Sequence, residues 1–321
     1  MPRDLSVIIV NYNTREHLRN CLRSLEAGSD GLSVEVVVVD NASSDGSVEM
    51  VDREFPHVRL IRNTQNVGFA RACNQGAGNP EANNLLFLNS DTVIVSGAFR
   101  QLVEAADKYP EVGLIGPRLV SPRDHSLQPS FRPFPSLRTV FSQFTLLKFF
   151  FRWLPKSRWR AVMNTPTAAG WLTGACLLVR RSAWEQIGGF DETYFLYYED
   201  TDYCRRAIRA GWKLLYTDAM TVSHQEGASI ERAGQGEIRF IMFQSLFHYL
   251  SGDHSPGVLR LGMPCFKLLA LLTACLTLVE SGTKTVLYQW IRMAWKAERH
   301  RRRWVRNKEF LSRHLWDFLK L

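Results

Sequence analysis

Three clusters of polar residues each follow an apolar run that predicts a β-strand. They are Asn11-Tyr12-Asn13, Asp40-Asn41 and Asn89-Ser90-Asp91. In α/β sheets, ligands bind beyond the carboxyl ends of the parallel strands, which is where these side chains would lie. Amide, phenol and carboxylate groups suit the edge of a base and a ribose, and a carboxylate there can hold Mg²⁺ or Mn²⁺ against a diphosphate. The clusters therefore predict a nucleotide site with a divalent metal.

Two of the carboxylates also have a plainer interpretation. Asp40 could accept from a pyrimidine imide or a ribose hydroxyl, but it could equally cap the following helix. Asp91 alone would be a strand-end turn, and only the three clusters together favour a metal ligand. His224 follows a later strand, where a single histidine is more often structural. It would complete the metal site if the fold brings it back to Asp91.

A second, acidic cluster lies in the segment 188–206. Five acids fall within twelve residues, interleaved with aromatic side chains: Asp191, Glu192, Glu199, Asp200 and Asp202. The last three lie at a predicted helix start, where the dipole and free N–H groups favour anions. A carboxylate pointing into a cleft there could take a proton from a hydroxyl nucleophile. Capping plus an i,i+3 pair with Arg205 is the alternative, which accounts for Asp202 but not for the whole cluster.

Alternating strand and helix patterns position these residues. Strands are predicted at 5–10, 34–39, 58–61, 85–88 and 112–115, with helices at 15–25, 69–76 and 97–108. This alternation indicates parallel βαβ units in a doubly wound sheet. Further on, strands are predicted at 171–180, 213–216 and 220–222, and helices at 182–187 and 199–210.

Several motifs are missing. The first strand is not followed by GxGxxG, so the dinucleotide fingerprint is missing, and the absence of GxxxxGK[ST] argues against a P-loop. A nucleotidyltransferase would show a Gly-rich loop with Lys or Arg after that strand, and this is lacking. The six cysteines have no CxxC spacing, which predicts buried single thiols in a reducing cytosol.

The formal net charge of +9 is concentrated at the end of the sequence. Residues 292–321 carry ten basic and three acidic side chains, so the remainder is nearly neutral. Before them, the apolar run 258–279 is interrupted by Arg260, Pro264 and Lys267, and tryptophans follow among the basic residues. This pattern favours a segment that lies on an anionic membrane surface over one that spans it. A buried core helix is the alternative.

The order of several segments carries a family resemblance. They read "VVVVDNASSDGS", "NVGFARACN", "LFLNSDT", "WLTGACLLVRR" and "IGGFDETYFLYYEDTDYCRRAIRAGW". Through them the chain resembles the inverting family-2 glycosyltransferases of the GT-A fold, and among these the bacterial rhamnosyltransferase-like members. The resemblance implies an α/β, mostly parallel sheet with a nucleotide-sugar half at 1–120 and an acceptor half at 121–250. A helical membrane-associating region would follow at 251–321.

The resemblance also implies roles for individual residues. The nucleotide and donor would be held by Asn11, Tyr12, Asn13, Asp40, Asn66, Gly68, Arg71, Asn89 and Ser90. The sugar and acceptor would be lined by Trp171, Thr173 and Gly174. The metal would be bound by Asp91 and His224. The base would be Asp200, with Glu199 as a second candidate. Asn89 replaces the first Asp of the family's DxD motif, which removes one carboxylate from the metal.

The implied reaction is the transfer of one sugar, with inversion, from a nucleotide-diphospho-sugar such as dTDP-rhamnose. The acceptor would be a hydroxyl of a lipid-linked saccharide at the cytoplasmic face of the bacterial inner membrane. The QxxRW signature of processive synthases is absent, which argues against polymer extrusion. The alternatives are a nucleotidyltransferase, a catalytically silent nucleotide-binding scaffold, and a protein that binds nucleic acid through its basic tail.

Overall fold

A computed structural model describes residues 3–28, 31–78, 81–94, 98–136, 164–225 and 235–252. The chain divides into two compact units, one of residues 1–134 and 155–234 and the other of residues 135–154 and 235–321. The predicted boundary at 250/251 stays a prediction, and the segments 258–279 and 292–321 lie outside the described residues. In the second unit, one helix, Gln235–Ser251, is described. None of the helices within the described ranges is long and apolar enough to cross a membrane.

The first unit contains a large sheet and six described helices. Its strands are β1 (Leu5–Asn11), β2 (Val34–Asp40), β3 (Arg59–Arg62), β4 (Asn84–Asn89), β5 (Thr92–Ile94), β6 (Val112–Val120), β7 (Leu127–Gln128), β8 (Phe131–Arg132), β9 (Trp171–Leu172), β10 (Cys176–Arg180) and β11 (Lys213–His224). Its helices are α1 (Arg15–Gly28), α2 (Ser47–Glu54), α3 (Phe69–Ala77), α4 (Ala98–Lys108), α5 (Arg181–Ile187) and α6 (Glu199–Arg209). Most of the predicted elements are confirmed to within a few residues.

The strand order in the large sheet is β3-β2-β1-β4-β10-β6-β11-β5, with β7 paired to the edge of β6. The first four strands are parallel, as predicted. Beyond them the sheet is mixed, because β10 runs antiparallel to both β4 and β6. The amino end of β10 therefore lies beside the carboxyl end of β4.

Apolar layers cover both faces of this sheet. One layer contains side chains from α1, α2 and α4, including Leu18, Met50 and Phe99. The other contains side chains from α3, α5 and α6, including Trp184 and Tyr203. Because both faces are covered, the central strands are continuous runs of valine, isoleucine and leucine rather than alternating patterns.

Several elements differ from the sequence prediction, and α2, β7, β8 and the helix Gln235–Ser251 were not predicted. The strand predicted at 171–180 is interrupted by a turn between β9 and β10. The two strands predicted at 213–216 and 220–222 are one strand, β11, whose pairing to β6 shifts between Thr217 and Thr221. The short strand β5 was not predicted, because three residues are too few to show a periodicity. It pairs with the end of β11 and so places His224 opposite Thr92.

Four of the six cysteines lie in described residues, and all four are buried free thiols, as predicted. They are Cys21, Cys73, Cys176 and Cys204. Burial raises the pKa of Cys21 to about 12, so this thiol stays protonated at neutral pH.

Gly76 allows α3 to pack closely on the sheet. A Cβ at this position would lie 2.5 Å from Cγ2 of Ile8 and 3.0 Å from Cγ2 of Val39. Both methyl groups belong to stiff β-branched side chains, so they cannot move aside. We expect Gly76→Ala to lower the free energy of unfolding by ~1–3 kcal/mol in urea denaturation, through overpacking.

The matched control is Gln101→Ala, at an exposed position of α4. It should change the free energy of unfolding by no more than ~0.5 kcal/mol. An unchanged or increased stability for Gly76→Ala would contradict the close packing, because alanine is otherwise the better helix former.

Candidate functional site

The edge formed by the ends of β1 and β2 is built around a buried amide–carboxylate pair. Asn11 is fully buried and Asp40 is 2% exposed. Nδ2 of Asn11 donates to Oδ1 of Asp40 at 2.8 Å and to Oγ of Ser43 at 3.0 Å. The backbone N–H of Ser43 donates to Oδ2 of Asp40 at 2.8 Å, so this carboxylate closes a turn. It does not cap α2, which begins at Ser47 after Gly46, and the helix-cap interpretation is wrong.

A chain of hydroxyl groups joins this pair to the end of β4. Oγ1 of Thr14 donates to Oδ1 of Asn11 at 2.7 Å and lies 2.8 Å from Oγ of Ser90. Because the Thr14 hydroxyl gives its only proton to Asn11, Ser90 is the donor in the second contact. Thr14 and Ser90 are both buried. The three strand ends predicted to meet at this edge therefore share one hydrogen-bonded network.

The loop after β1 presents an aromatic ring beside that network. The backbone N–H of Asn13 donates to Oγ of Ser43 at 2.9 Å, and Oδ1 of Asn13 accepts from the N–H of Ser44 at 2.8 Å. Between these anchored positions, Tyr12 is 39% exposed. An exposed ring held at the strand ends is what binding to a base requires.

Gly68 holds the loop before α3 against the segment that precedes α6. It has a φ of 88°, and a Cβ there would lie 2.7 Å from the carbonyl oxygen of Phe195. Its N–H donates to Oδ1 of Asn66 at 3.0 Å, which fixes the loop. Arg71, on the first turn of α3, is exposed, with Nε 3.8 Å from a carboxylate oxygen of Glu192. Its guanidinium is therefore accessible at the edge of this loop.

The fold brings His224 back to Asp91, as the metal interpretation requires. Nε2 of His224 lies 3.4 Å from Oδ1 of Asp91, and both side chains are largely buried. The backbone N–H of Gln225 donates to the carbonyl of Asp91 at 3.0 Å, which anchors the end of β11 to this turn. A carboxylate and an imidazole thus converge at the end of β4.

The chemistry of this pair fits Mn²⁺ or Mg²⁺ that also binds a diphosphate. Imidazole and carboxylate both ligate Mn²⁺, and such ions take few protein ligands when phosphates supply the rest. Within the described ranges, no group of three or more His, Cys, Asp and Glu side chains could hold a metal. Asn89 is the last residue of β4, and its carbonyl oxygen accepts a hydrogen bond from the Thr92 hydroxyl. Its metal or donor contact stays a prediction.

Asp200 lies at the start of α6 with both carboxylate oxygens bonded. Oδ2 accepts from the N–H of Gly174 at 2.7 Å, and Oδ1 accepts from the N–H of Thr201 at 2.6 Å. Burial raises the pKa of Asp200, and these N–H groups and the charge of Arg132 oppose the rise. The carboxylate is held as an acceptor with a pKa above its ordinary value, which suits a general base.

The three residues assigned to the acceptor pocket lie on β9, which carries Trp171, and in the turn after it, which carries Thr173 and Gly174. Nε1 of Trp171 donates to the carbonyl of Pro133 at 3.0 Å, and the N–H of Thr173 donates to the carbonyl of Ser130 at 3.1 Å. The N–H of Gly174 bonds to Asp200, so each of the three residues is held by a hydrogen bond. Their contact with a sugar stays a prediction.

Glu199, the second candidate base, is buried without a partner for one oxygen. Oε2 has no hydrogen-bond partner among the described residues. Burial, and then the charge of Asp200, raise the pKa of Glu199 well above its ordinary value. Two successive residues with positive φ, Tyr197 at 68° and Tyr198 at 69°, turn the chain into this helix. The geometry therefore gives the charge to Asp200 and the proton to Glu199.

Asp202 has the structural role expected for it. Its oxygens accept from Arg205 at 3.0 Å and from Arg206 at 2.7 Å. The predicted i,i+3 pair is confirmed, and an i,i+4 pair adds to it.

The metal pair and the candidate base meet at the same sheet edge. The N–H of Asn89 donates to the carbonyl of Ala175 at 3.0 Å, which ties the end of β4 to the turn before β10. That turn carries Gly174, whose N–H holds Asp200. Asp91 lies two residues after Asn89, and Asp200 contacts Gly174, the residue before Ala175. The hydrogen bond between Asn89 and Ala175 therefore links the two carboxylates.

A family model for "Glycosyl transferase family 2" matches residues 6–188, which is more than half of the chain. The chain belongs to glycosyl transferase family 2. The resemblance stated from the sequence is confirmed, and with it the enzyme class. Family membership decides against the nucleotidyltransferase alternative.

Two relatives of this family-2 glycosyltransferase have names that refer to sugar transfer. An N-acetylglucosaminyl-diphospho-decaprenol L-rhamnosyltransferase of Mycobacterium tuberculosis is 33% identical over 264 residues, 78% of this chain and 85% of its own length. A low-salt glycan biosynthesis hexosyltransferase of Haloferax volcanii is 27% identical over 253 residues, 77% of this chain and 75% of its own length. The rhamnosyltransferase-like assignment is thus supported by identity along most of the chain.

Two solved structures show the same fold. A mannosyltransferase from Pyrobaculum calidifontis, in complex with GDP-Man and Mn²⁺, has a TM-score of 0.52 and 16% identity, over 100% of this chain and 80% of its own. GalNAc-T7, with UDP, GalNAc and Mn²⁺, has a TM-score of 0.52 and 16% identity, over 70% of this chain and 45% of its own. At these identities the likeness shows the fold alone, and it confirms the expected GT-A-like α/β architecture.

Sequence reasoning missed several residues of this glycosyltransferase's site. Thr14 and Ser43 link the strand ends, and their position beside the polar clusters could have indicated them. Gln128 bonds to His224 from 96 residues away, and nothing in its local sequence indicates that contact. Arg132 acts on Asp200 through its charge, and the arginine-rich composition of its region did not single it out.

The buried proton on Glu199 predicts a pH-dependent stability. The folded chain keeps a proton that the unfolded chain releases above a pKa of ~4.3. The free energy of unfolding therefore falls as pH rises, by up to ~1.4 kcal/mol per pH unit. Glu199→Gln is neutral at every pH and lacks this loss. Its stability advantage over the parent should grow from about pH 5 to about pH 8 in urea denaturation.

The control for this prediction is Glu104→Gln, at an exposed position of α4. Its stability relative to the parent should be the same at both pH values. A Glu199→Gln advantage that stays constant across this range would contradict a protonated Glu199.

Proposed function

We propose that this glycosyltransferase transfers one sugar, with inversion, from a nucleotide-diphospho-sugar to a hydroxyl of a lipid-linked saccharide. The observation that carries the proposal is the convergence at one sheet edge of Asp91, His224 and Asp200. A site for the donor diphosphate and a base for the acceptor hydroxyl must be neighbours if one reaction uses both. The hydrogen bonds from Asn89 to Ala175 and from Gly174 to Asp200 link the segment that carries Asp91 to Asp200, and this link supports the proposal.

The donor would be dTDP-rhamnose, with the nucleoside at the ends of β1 and β2. Support for rhamnose comes from the mycobacterial relative, whose name gives L-rhamnosyl transfer to N-acetylglucosaminyl-diphospho-decaprenol. Tyr12 would stack on the base, and Asp40 would accept from the base or ribose through the oxygens that the turn holds in place. Arg71 and the loop at Gly68 would lie along the donor.

Asp91 and His224 would hold the divalent metal, either Mg²⁺ or Mn²⁺. Two structures of this fold contain Mn²⁺, which supports the assignment. When bound, the metal neutralises the charge that builds on the departing nucleoside diphosphate. With Asn89 in place of a carboxylate, the protein contributes one negative charge fewer and the diphosphate contributes more of the binding.

Asp200 would act as the general base. The N–H groups of Gly174 and Thr201 fix its carboxylate, so that an oxygen lone pair is available to the acceptor hydroxyl. The acceptor oxygen forms its bond to the anomeric carbon while the bond from that carbon to the diphosphate oxygen breaks, and the hydroxyl proton goes to Asp200. Attack from the side opposite the leaving group inverts the anomeric configuration. Positioning and electrostatics supply most of the rate enhancement.

The base assignment predicts that Asp200→Asn reduces kcat by ~10²–10⁴ while the fold is retained, because an amide cannot take the proton. The assay is release of dTDP from dTDP-rhamnose with N-acetylglucosaminyl-diphospho-decaprenol as acceptor and Mn²⁺ present. The control is Asp202→Asn, two residues along the same helix, whose carboxylate is engaged by arginines. It should retain turnover, and near-normal turnover by Asp200→Asn would remove the base assignment.

We further propose that residues 1–250 form the catalytic part and that 251–321 hold it on the cytoplasmic face of the bacterial inner membrane. The support is the basic, tryptophan-containing sequence after an interrupted apolar segment. Such a location gives a soluble donor and a lipid-linked acceptor access to the same site.

The membrane assignment predicts that the full chain sediments with anionic vesicles and that residues 1–254 alone do not. Binding should weaken with added salt, since the tail acts through its charge. Vesicles of zwitterionic lipid are the control for the contribution of charge. Equal vesicle binding by the truncated chain would contradict the assignment, and tight binding of the full chain to duplex DNA instead would favour the nucleic-acid alternative.

A further inference from the structure

The short strand β7 brings a glutamine to the back of His224. β7 pairs with β6, and β6 pairs with β11 on its other side, so Gln128 and Val222 both lie opposite Leu119. Gln128 then reaches the last residue of β11 with both ends of its amide. Oε1 lies 2.9 Å from Nδ1 of His224, and Nε2 donates to the carbonyl oxygen of the same histidine at 2.9 Å.

These two contacts fix which ring nitrogen carries the proton. A backbone carbonyl can only accept, so the NH₂ end of the Gln128 amide must face it. The oxygen end therefore faces Nδ1 of His224, and an oxygen there can only accept. The neutral ring is consequently protonated on Nδ1, and its lone pair is on Nε2.

That lone pair faces a second electron-pair donor. Nε2 of His224 lies 3.4 Å from Oδ1 of Asp91, with both side chains about nine-tenths buried. In this neutral tautomer Nε2 carries no proton to donate, so the ring and the carboxylate both present lone pairs to the space between them. Adjacent ligands of an octahedral ion, each ~2.1 Å from the metal, are ~3.0 Å apart, which is close to this separation.

We propose that Gln128 is a positioning residue that orients His224 and selects its Nδ1–H tautomer, so that Nε2 is available to a divalent cation. This inference rests on the metal in the proposed function. A hydrogen bond to the other ring nitrogen is the usual way in which a protein orients a ligating histidine, and its loss weakens metal binding ~10–100-fold. Here the acceptor is a side-chain amide that also clamps the histidine's own backbone.

The test uses the full chain and Mn²⁺ in the presence of dTDP, whose diphosphate supplies the remaining ligands, with protein-bound Mn²⁺ measured by electron paramagnetic resonance. Gln128→Leu should bind Mn²⁺ ~10–100-fold more weakly than the parent. The matched control is Gln186→Leu, since Gln186 also accepts from a ring N–H, that of Trp212, and donates to a backbone carbonyl, that of Ala210. It lies on α5, outside the site, and should leave Mn²⁺ affinity unchanged.

A second readout reports the tautomer and does not depend on the variant folding well. In ¹⁵N NMR of the metal-free parent in mildly alkaline buffer, the His224 ring should show Nδ1–H, with the signal assigned by its loss in His224→Gln. In Gln128→Leu, the Nε2–H form should appear. An Nε2–H tautomer in the parent would overturn the inference.

The possible outcomes distinguish a failure of the role of Gln128 from a failure of the proposed metal site. Mn²⁺ binding that requires Asp91 and His224 but is unchanged in Gln128→Leu overturns the role of Gln128 alone. If the parent binds no Mn²⁺, the metal part of the proposed function fails and this inference fails with it. Weaker binding in Gln128→Leu together with the tautomer change supports both.

Discussion

The buried hydrogen bond between Asn11 and Asp40 is the interaction on which the site depends. Both strands that carry these residues are covered on two faces, so their polar ends must be satisfied within the protein. The parallel register places Asn11 beside Asp40, and the bond between them is 2.8 Å long. From this pair, hydrogen bonds run to Ser43 and Thr14 and on to Ser90, which fixes three strand ends relative to one another.

This constraint also explains how much the sequence could predict. Strands buried on both faces appear as unbroken apolar runs, so their ends, and the polar residues after them, were located correctly. The interruption of the strand predicted at 171–180 was missed, because Thr173 and Gly174 make only a short break in an apolar run that continues to Val179. The role of Gln128 could not be predicted, since it arises from a two-residue strand and a contact across 96 residues.

Two pairs of side chains near the end of β4 lie in different electrostatic environments. One pair is Asp91 and His224, and the other is Asp200 and Glu199. Asp91 and His224 lie against each other and would present electron pairs to a cation in the proposed function, with Gln128 bonded to the other ring nitrogen. Asp200 is held by backbone N–H groups, while Glu199 beside it is buried and keeps its proton. The two environments are linked by one backbone hydrogen bond between Asn89 and Ala175. In the proposed function, one sheet edge would thus bind the donor diphosphate and deprotonate the acceptor.

The proposed function requires that the strand-end network forms a donor site completed by a divalent metal. The most direct measurement is the thermal unfolding of the full chain with a panel of nucleotide sugars, each with and without Mn²⁺. We expect a rise in Tm for dTDP-rhamnose that requires Mn²⁺ and is larger than the rise for the other donors. No rise for any nucleotide sugar in the presence of Mn²⁺ would contradict the claim and favour a catalytically silent scaffold.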